Sequence, residues 1–183
     1  MITQTKPWRI IDLINWGNER FTQKGIDNSR REIEWFLCDI LDCQRIDLYI
    51  QFEDLLYEKD LMKLRQMVQR RLSGEPFQHI LGKGCFYGRD FIVDNNVLIP
   101  RPETELIIER LKMGGKVHSL LDIGTGSGCI LLSVLKELNF SRGIGIDISP
   151  KAVRTAEVNS KNLKLFNRSK FKVIDLDKFN VGK

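Results

Sequence analysis

The sequence predicts an α/β chain in three parts. These are a small helical bundle over residues 1–73, a β-hairpin linker over 74–100, and the first half of an open parallel sheet, in βαβαβ order, over 101–183. Three observations predict it. Apolar residues recur at helical spacing from Trp8 to Leu72 and stop at Ser73-Gly74-Glu75-Pro76. From residue 117 onward, short apolar runs alternate with helical patterns, which implies a parallel sheet covered by helices. Three glycines at alternate positions, Gly124, Gly126 and Gly128, join the first run to its helix.

The elements follow in order. Trp8, Ile11, Leu13, Ile14 and Phe21 mark a first helix; Ile33, Phe36, Leu37, Ile40 and Leu41 mark a second. Ser29, three positions before Glu32, has the spacing of a capping box for that second helix. A third helix runs through Leu61, Leu64, Met67, Val68 and Leu72, with Glu58 and Asp60 at its start and Arg70 and Arg71 at its end, matching the helix dipole. Trp8, Trp16 and Trp35 are expected in the core of the bundle. Beyond the linker break, strands are expected at Gly84–Tyr87, Phe91–Val93 and Val97–Ile99, the last two joined by an Asp94-Asn95-Asn96 turn. A short helix follows over Thr104–Leu111. Then come a buried strand over 117–123, a helix over 128–138, a strand over 143–148, a helix over 150–165 and a strand over 171–175.

The glycine loop carries the chemistry. Glycines let a chain turn sharply and approach a ligand closely, and the helix that follows offers free N–H groups at a positive dipole end. A dinucleotide fingerprint needs a third glycine where this chain has Cys129, and no Gly-Lys-Ser/Thr of a phosphate-binding P-loop is present. The pattern Asp122-x-Gly124-x-Gly126-x-Gly128 is instead similar to the loop of methyltransferases that use S-adenosylmethionine. Asp147, at the end of the second strand, suits hydrogen bonding to ribose hydroxyls. Its structural alternative, capping the next helix, is better filled by Ser149 with Pro150 in the first turn. Asp122 is read as ordering the turn.

Composition narrows the class. The four cysteines are scattered without a Cys-x-x-Cys pair, and only two histidines accompany them, so no metal site is expected. No apolar run is long enough to span a bilayer, and Met1–Arg9 has no signal-peptide centre. A cytoplasmic protein with free thiols is expected, in a bacterial cytosol. Residues 1–72 are charge-neutral, so the remainder holds the whole net charge of +5, much of it at Lys161, Lys164, Arg168, Lys170 and Lys172. This excess is read as a solvated face, with RNA or an RNA-bound partner as the alternative. No direct DNA contact is expected.

Several segments together resemble one family. Gly74-Glu75-Pro76-Phe77-Gln78-His79-Ile80-Leu81-Gly82, Phe86-Tyr87-Gly88 and Ile99-Pro100-Arg101-Pro102-Glu103-Thr104-Glu105 precede the glycine loop in the order seen in bacterial and organellar release-factor glutamine methyltransferases. His79 stands where that family more often has tyrosine. The resemblance implies a Rossmann-like methyltransferase domain and S-adenosylmethionine as cofactor. It also implies methylation of the side-chain amide of the Gly-Gly-Gln glutamine in class-one peptide release factors, which the helical bundle would engage. It places Gly124, Thr125, Gly126, Ser127 and Gly128 beneath the methionine and ribose portions, Asp147 on the ribose, and Asp177 in the acidic loop beside adenine, with Asp175 as rival. The family grips the substrate amide with an Asn-Pro-Pro-Tyr motif. No Asn-Pro or Pro-Pro dipeptide occurs here, so no catalytic residue is assigned. The chain is expected to be a C-terminally truncated, inactive form that binds cofactor weakly or not at all and leaves its third strand as an unpaired edge. A non-enzymatic module that binds a release factor or ribosomal partner is the alternative. The sequence does not predict the oligomeric state.

Overall fold

A computed structural model describes residues 7–114, 118–138 and 142–176. The chain divides into two compact units, residues 1–81 and 82–183. The segment expected as a linker is shared between them: its start goes with the helices and its hairpin with the sheet.

The first unit is helical: α1 (Ile10–Gln23), α2 (Ser29–Leu41), α3 (Arg45–Ile50), α4 (Glu58–Leu72) and α5 (Phe77–Leu81). The apolar stripes predicted from sequence meet in one core of Ile10, Leu13, Ile14 and Phe21 from α1, Ile33, Phe36 and Leu37 from α2, and Leu61, Leu64 and Val68 from α4. A Cβ on Gly17 would lie 2.3 Å from Ile33 Cδ1, so α1 and α2 touch where a side chain is absent. Glu34 is fully buried, and its carboxylate is satisfied from three sides. Arg30 Nε donates to it at 2.9 Å, Arg45 Nε at 2.5 Å and the Tyr49 hydroxyl at 2.9 Å, fastening α3 to α2.

Two expectations fail in this unit. Ser29 is the first helical residue rather than the cap, and its hydroxyl donates to the Ile26 carbonyl. Glu32 pairs instead with Arg71, 39 residues away, so a tertiary ion pair wins over the local box. Trp8 and Trp16 flank the core edge to face at 6.3 Å, but Trp35 is 48% exposed because it lies off the buried stripe of α2.

The second unit begins with a hairpin of β1 (Lys83–Phe86) and β2 (Arg89–Ile92), whose turn is Tyr87-Gly88. The expected turn at 94–96 joins no strands, and Val97–Ile99 forms none. Both turn residues take left-handed backbone angles, φ +49° and +69°, as the tightest hairpins require. Such a φ is uncommon for tyrosine, so the turn needs outside support. It comes from α6 (Glu105–Met113), which follows a 3-10 turn at Pro102–Thr104. Glu105 accepts the Tyr87 N–H at 2.8 Å, Glu109 accepts its hydroxyl, and Lys112 Nζ donates to that hydroxyl at 2.9 Å.

The sheet holds β3 (Ser119–Ile123), β4 (Arg142–Asp147) and β5 (Ser169–Val173), all parallel, in the order β3-β4-β5. Helices α7 (Cys129–Glu137) and α8 (Pro150–Asn162) are the crossovers. Leu131, Leu132, Val134 and Leu135 of α7 join Phe86, Phe91, Ile108 and Leu165 in the core. Helix α8 stops at Asn162, short of the expected 165, because Lys164 turns left-handed at φ +57°. The first strand was expected to be buried. It lies at an edge of the described sheet, with Leu121 37% and Ile123 54% exposed, so among the described residues β3 as well as β5 has a strand on one side alone. All four cysteines are free, and only Cys85, on β1, is exposed.

Candidate functional site

The site is built where β3 ends. Leaving the strand, Gly124 and Thr125 both donate N–H groups to the Ile146 carbonyl of β4 at 2.9 Å, and Gly128 donates to Thr125 at 2.8 Å. Gly124, Gly126 and Gly128 have φ of +72°, +54° and +77°, a region essentially reserved for glycine in series. This alternation gives the loop two sides. Thr125 and Ser127 are buried and anchor it. Above Gly124 no atom lies within 4 Å of a built Cβ, and above Gly126 only one carbonyl does, at the 4.0 Å limit, leaving open room for a ligand. Gly128 is different, since its Cβ would meet Ala156, Leu132 and Phe171 at 3.2 Å each.

Two carboxylates hold this loop. Asp147, the last residue of β4, accepts the Gly126 N–H on Oδ2 and the Ser149 N–H on Oδ1, both at 2.9 Å. It therefore draws the glycine loop and the α8 entry together. Ser149 caps α8, accepting from the Ala152 N–H at 3.3 Å with Pro150 in the first turn. Asp122 accepts the Thr125 hydroxyl at 2.7 Å and also a backbone N–H, that of Leu131, and so orders the turn. Burial pushes the Asp122 carboxyl above its usual range, against the opposing pull of those hydrogen bonds. Because the folded-state pKa is raised above the unfolded value near 3.9, folding favours the protonated acid. That contribution is complete below the unfolded value and is lost as pH rises through the raised one. Asp122→Asn keeps an acceptor for Thr125 and removes the titration. It is expected to raise the stability of the second unit at pH 7 and to flatten its pH dependence between pH 4 and 7, read by denaturant melts across that range.

Cys129 opens α7 just after the loop, and burial pushes its thiol up to about 11. It is a packed thiol, not a nucleophile. Asp175 is half-buried just after β5, while Asp177 lies outside the described residues. Lys161, Lys164, Lys170 and Lys172 are exposed and Arg168 is half-buried. Among the described residues, no three His, Cys, Asp or Glu side chains gather as a metal site, and no helix is long and apolar enough to cross a membrane.

One residue of the site gave no sequence signal. Asn159, on the inner face of α8, is 1% exposed and makes three hydrogen bonds to the loop and to β2. Its only trace in the sequence is a polar residue on the otherwise small and apolar stripe Ala152, Ala156, Asn159.

Comparison with known proteins places both units. Residues 12–82 match a family described as the PrmC N-terminal domain, and residues 115–181 match one described as a methyltransferase domain. The chain is 36% identical to a release factor glutamine methyltransferase of Geobacter sulfurreducens, covering 99% of this chain and 66% of that protein. It is 38% identical to one of Rhodopirellula baltica, covering 88% of this chain and 57% of that protein. A solved RNA methyltransferase from Salinibacter ruber, in complex with S-adenosyl-L-homocysteine, is 27% identical with a TM-score of 0.40, over 46% of this chain and 54% of that one. The chain thus spans 57–66% of the length of these two curated relatives.

Proposed function

Because the chain belongs to the release factor glutamine methyltransferase family, we propose that it carries the cofactor site and the partner-recognition helices for methylating the Gly-Gly-Gln glutamine of class-one peptide release factors. The cofactor is S-adenosylmethionine, which supplies an electrophilic methyl group on a sulfonium. In the balanced reaction the amide nitrogen gains the methyl carbon, the carbon–sulfur bond breaks, S-adenosylhomocysteine leaves and the amide gives up one proton.

The observation that carries this reading is the two-sided glycine loop. Its open face at Gly124 and Gly126 admits a ligand against the backbone, and its buried face keeps the backbone still. Thr125 and Ser127 fix the loop, and Asp147 presents a carboxylate beside Gly126 for the ribose hydroxyls. Asp177, with Asp175 as the rival, is proposed for the adenine side. The positive dipole end at the start of α7 favours the negative end of the methionine moiety. No residue in these 183 is assigned to hold the substrate amide, since the sequence has no Asn-Pro-Pro-Tyr run. The chain's own part is positioning and cofactor recognition, which suits a weak amide nucleophile that depends on alignment.

The test is calorimetric titration of the chain with S-adenosylhomocysteine, and in parallel capture of a class-one release factor by residues 1–183. Saturable cofactor binding and release-factor capture are expected. A chain that binds neither overturns the reading.

A further inference from the structure

We infer that Asn159 is a positioning residue that locks the glycine loop to the β1–β2 hairpin, so that the two move as one body; its effect on cofactor affinity rests on the reading proposed above. Three contacts make the lock. Asn159 Oδ1 accepts the Ile92 N–H at 2.7 Å, while Nδ2 donates to the Ile92 carbonyl at 3.0 Å and to the Ser127 carbonyl at 2.9 Å. One amide therefore satisfies both backbone groups of the last residue of β2 and the carbonyl in the middle of the loop. The side chain is 1% exposed, so water does not replace these bonds.

The surroundings give the lock its rigidity. Asn159 sits one turn beyond Ala156 on α8, and Ala156 is what a Gly128 Cβ would strike. Ala152, two turns before Asn159, packs with Val93 and Val97, the segment leaving β2. Thus one stripe of α8 carries the hairpin exit and the loop side by side, and only Asn159 is hydrogen-bonded to both. Small residues at 152 and 156 let the two backbones approach the helix; the longer amide at 159 bridges them. Because Ser127 lies between Gly126, held by Asp147, and Gly128, where α7 begins, a shift at Ile92 is passed to the loop by the Asn159 side chain.

The Asn159→Asp variant tests this, because it keeps size and the acceptor for Ile92 N–H but turns an oxygen toward two carbonyls. Ser160→Ala is the control: it removes a buried hydrogen bond to Ser169 on the next residue of the same helix and touches neither Ile92 nor Ser127. Amide exchange is read at residues 92–93 and 124–129 under conditions where every variant is folded, together with S-adenosylhomocysteine affinity. In Asn159→Asp, faster exchange in both segments and about tenfold weaker cofactor binding are expected; Ser160→Ala should show neither. Loosening confined to residues 92–93, or the same loop exchange in Ser160→Ala, overturns the lock. If Asn159→Asp does not fold, Asn159→Ser is read the same way. A wild-type chain without cofactor affinity sinks the cofactor reading alone, since exchange still decides the lock.

Discussion

Gly128→Ala is expected to destabilise the second unit by about 2–5 kcal/mol. The φ of +77° costs a residue with a Cβ roughly 1–2 kcal/mol. The added atom would also sit 3.2 Å from Ala156 Cβ, Leu132 Cδ1 and Phe171 Cζ, and overpacking of this kind costs about 1–3 kcal/mol. None of those neighbours is the free end of an exposed side chain, so relaxation is small. The three tryptophans all lie in the helical unit, which separates the readouts. Circular dichroism should show part of the thermal transition falling by about 10 °C or more, at roughly 4–8 °C per kcal/mol. Tryptophan fluorescence should keep its midpoint. An unchanged dichroism melt would mean that the loop tolerates a side chain at the helix entry, contrary to the packing described.

Asp147→Ala should reduce S-adenosylhomocysteine affinity by about 100-fold or more. Hydrogen bonds to a charged group contribute about 1.5–3 kcal/mol each, and two ribose hydroxyls would lose theirs. The substitution also releases the Gly126 and Ser149 N–H groups, so the loop loses its tie to α8. Asp147→Asn offers one oxygen where two N–H groups need acceptors, and it should rank between alanine and wild type. Unchanged affinity in Asp147→Ala, by calorimetry, would leave Asp147 the role of joining two backbone turns and no part in binding.

The three long helices and the βαβαβ order were legible in the sequence because they depend on periodicity, which is local; the short α3 and α5 were not. The three core stripes of the helical unit, the β3-α7-β4-α8-β5 order and the Ser149-Pro150 start of α8 all follow from spacing within about twenty residues. What failed was decided by partners far along the chain. Glu32 forsakes Ser29 for Arg71, and the hairpin turns at Tyr87 rather than at the more turn-like Asp94-Asn95-Asn96 because Glu105 and Glu109 brace it. Glu34 is buried because Arg30, Arg45 and Tyr49 converge on it; helical spacing accounts for Arg30, but Arg45 and Tyr49 come from α3. In the site, the glycine turn and the place of Asp147 at the end of β4 were readable from spacing. Asn159 was not, because its partners are main-chain atoms that have no residue-specific signature.

The exposed thiol of Cys85 on β1 gives the molecule a practical handle. Burial pushes Cys38 up to about 12 and Cys129 up to about 11, and raises Cys43 as well, so these three stay protonated and unreactive near neutral pH. A maleimide dye or spin label should therefore attach to Cys85 first, without removing any other cysteine. Such a probe would sit on the strand paired with β2, where it can report in real time whether filling the loop with a nucleoside stills or shifts the hairpin.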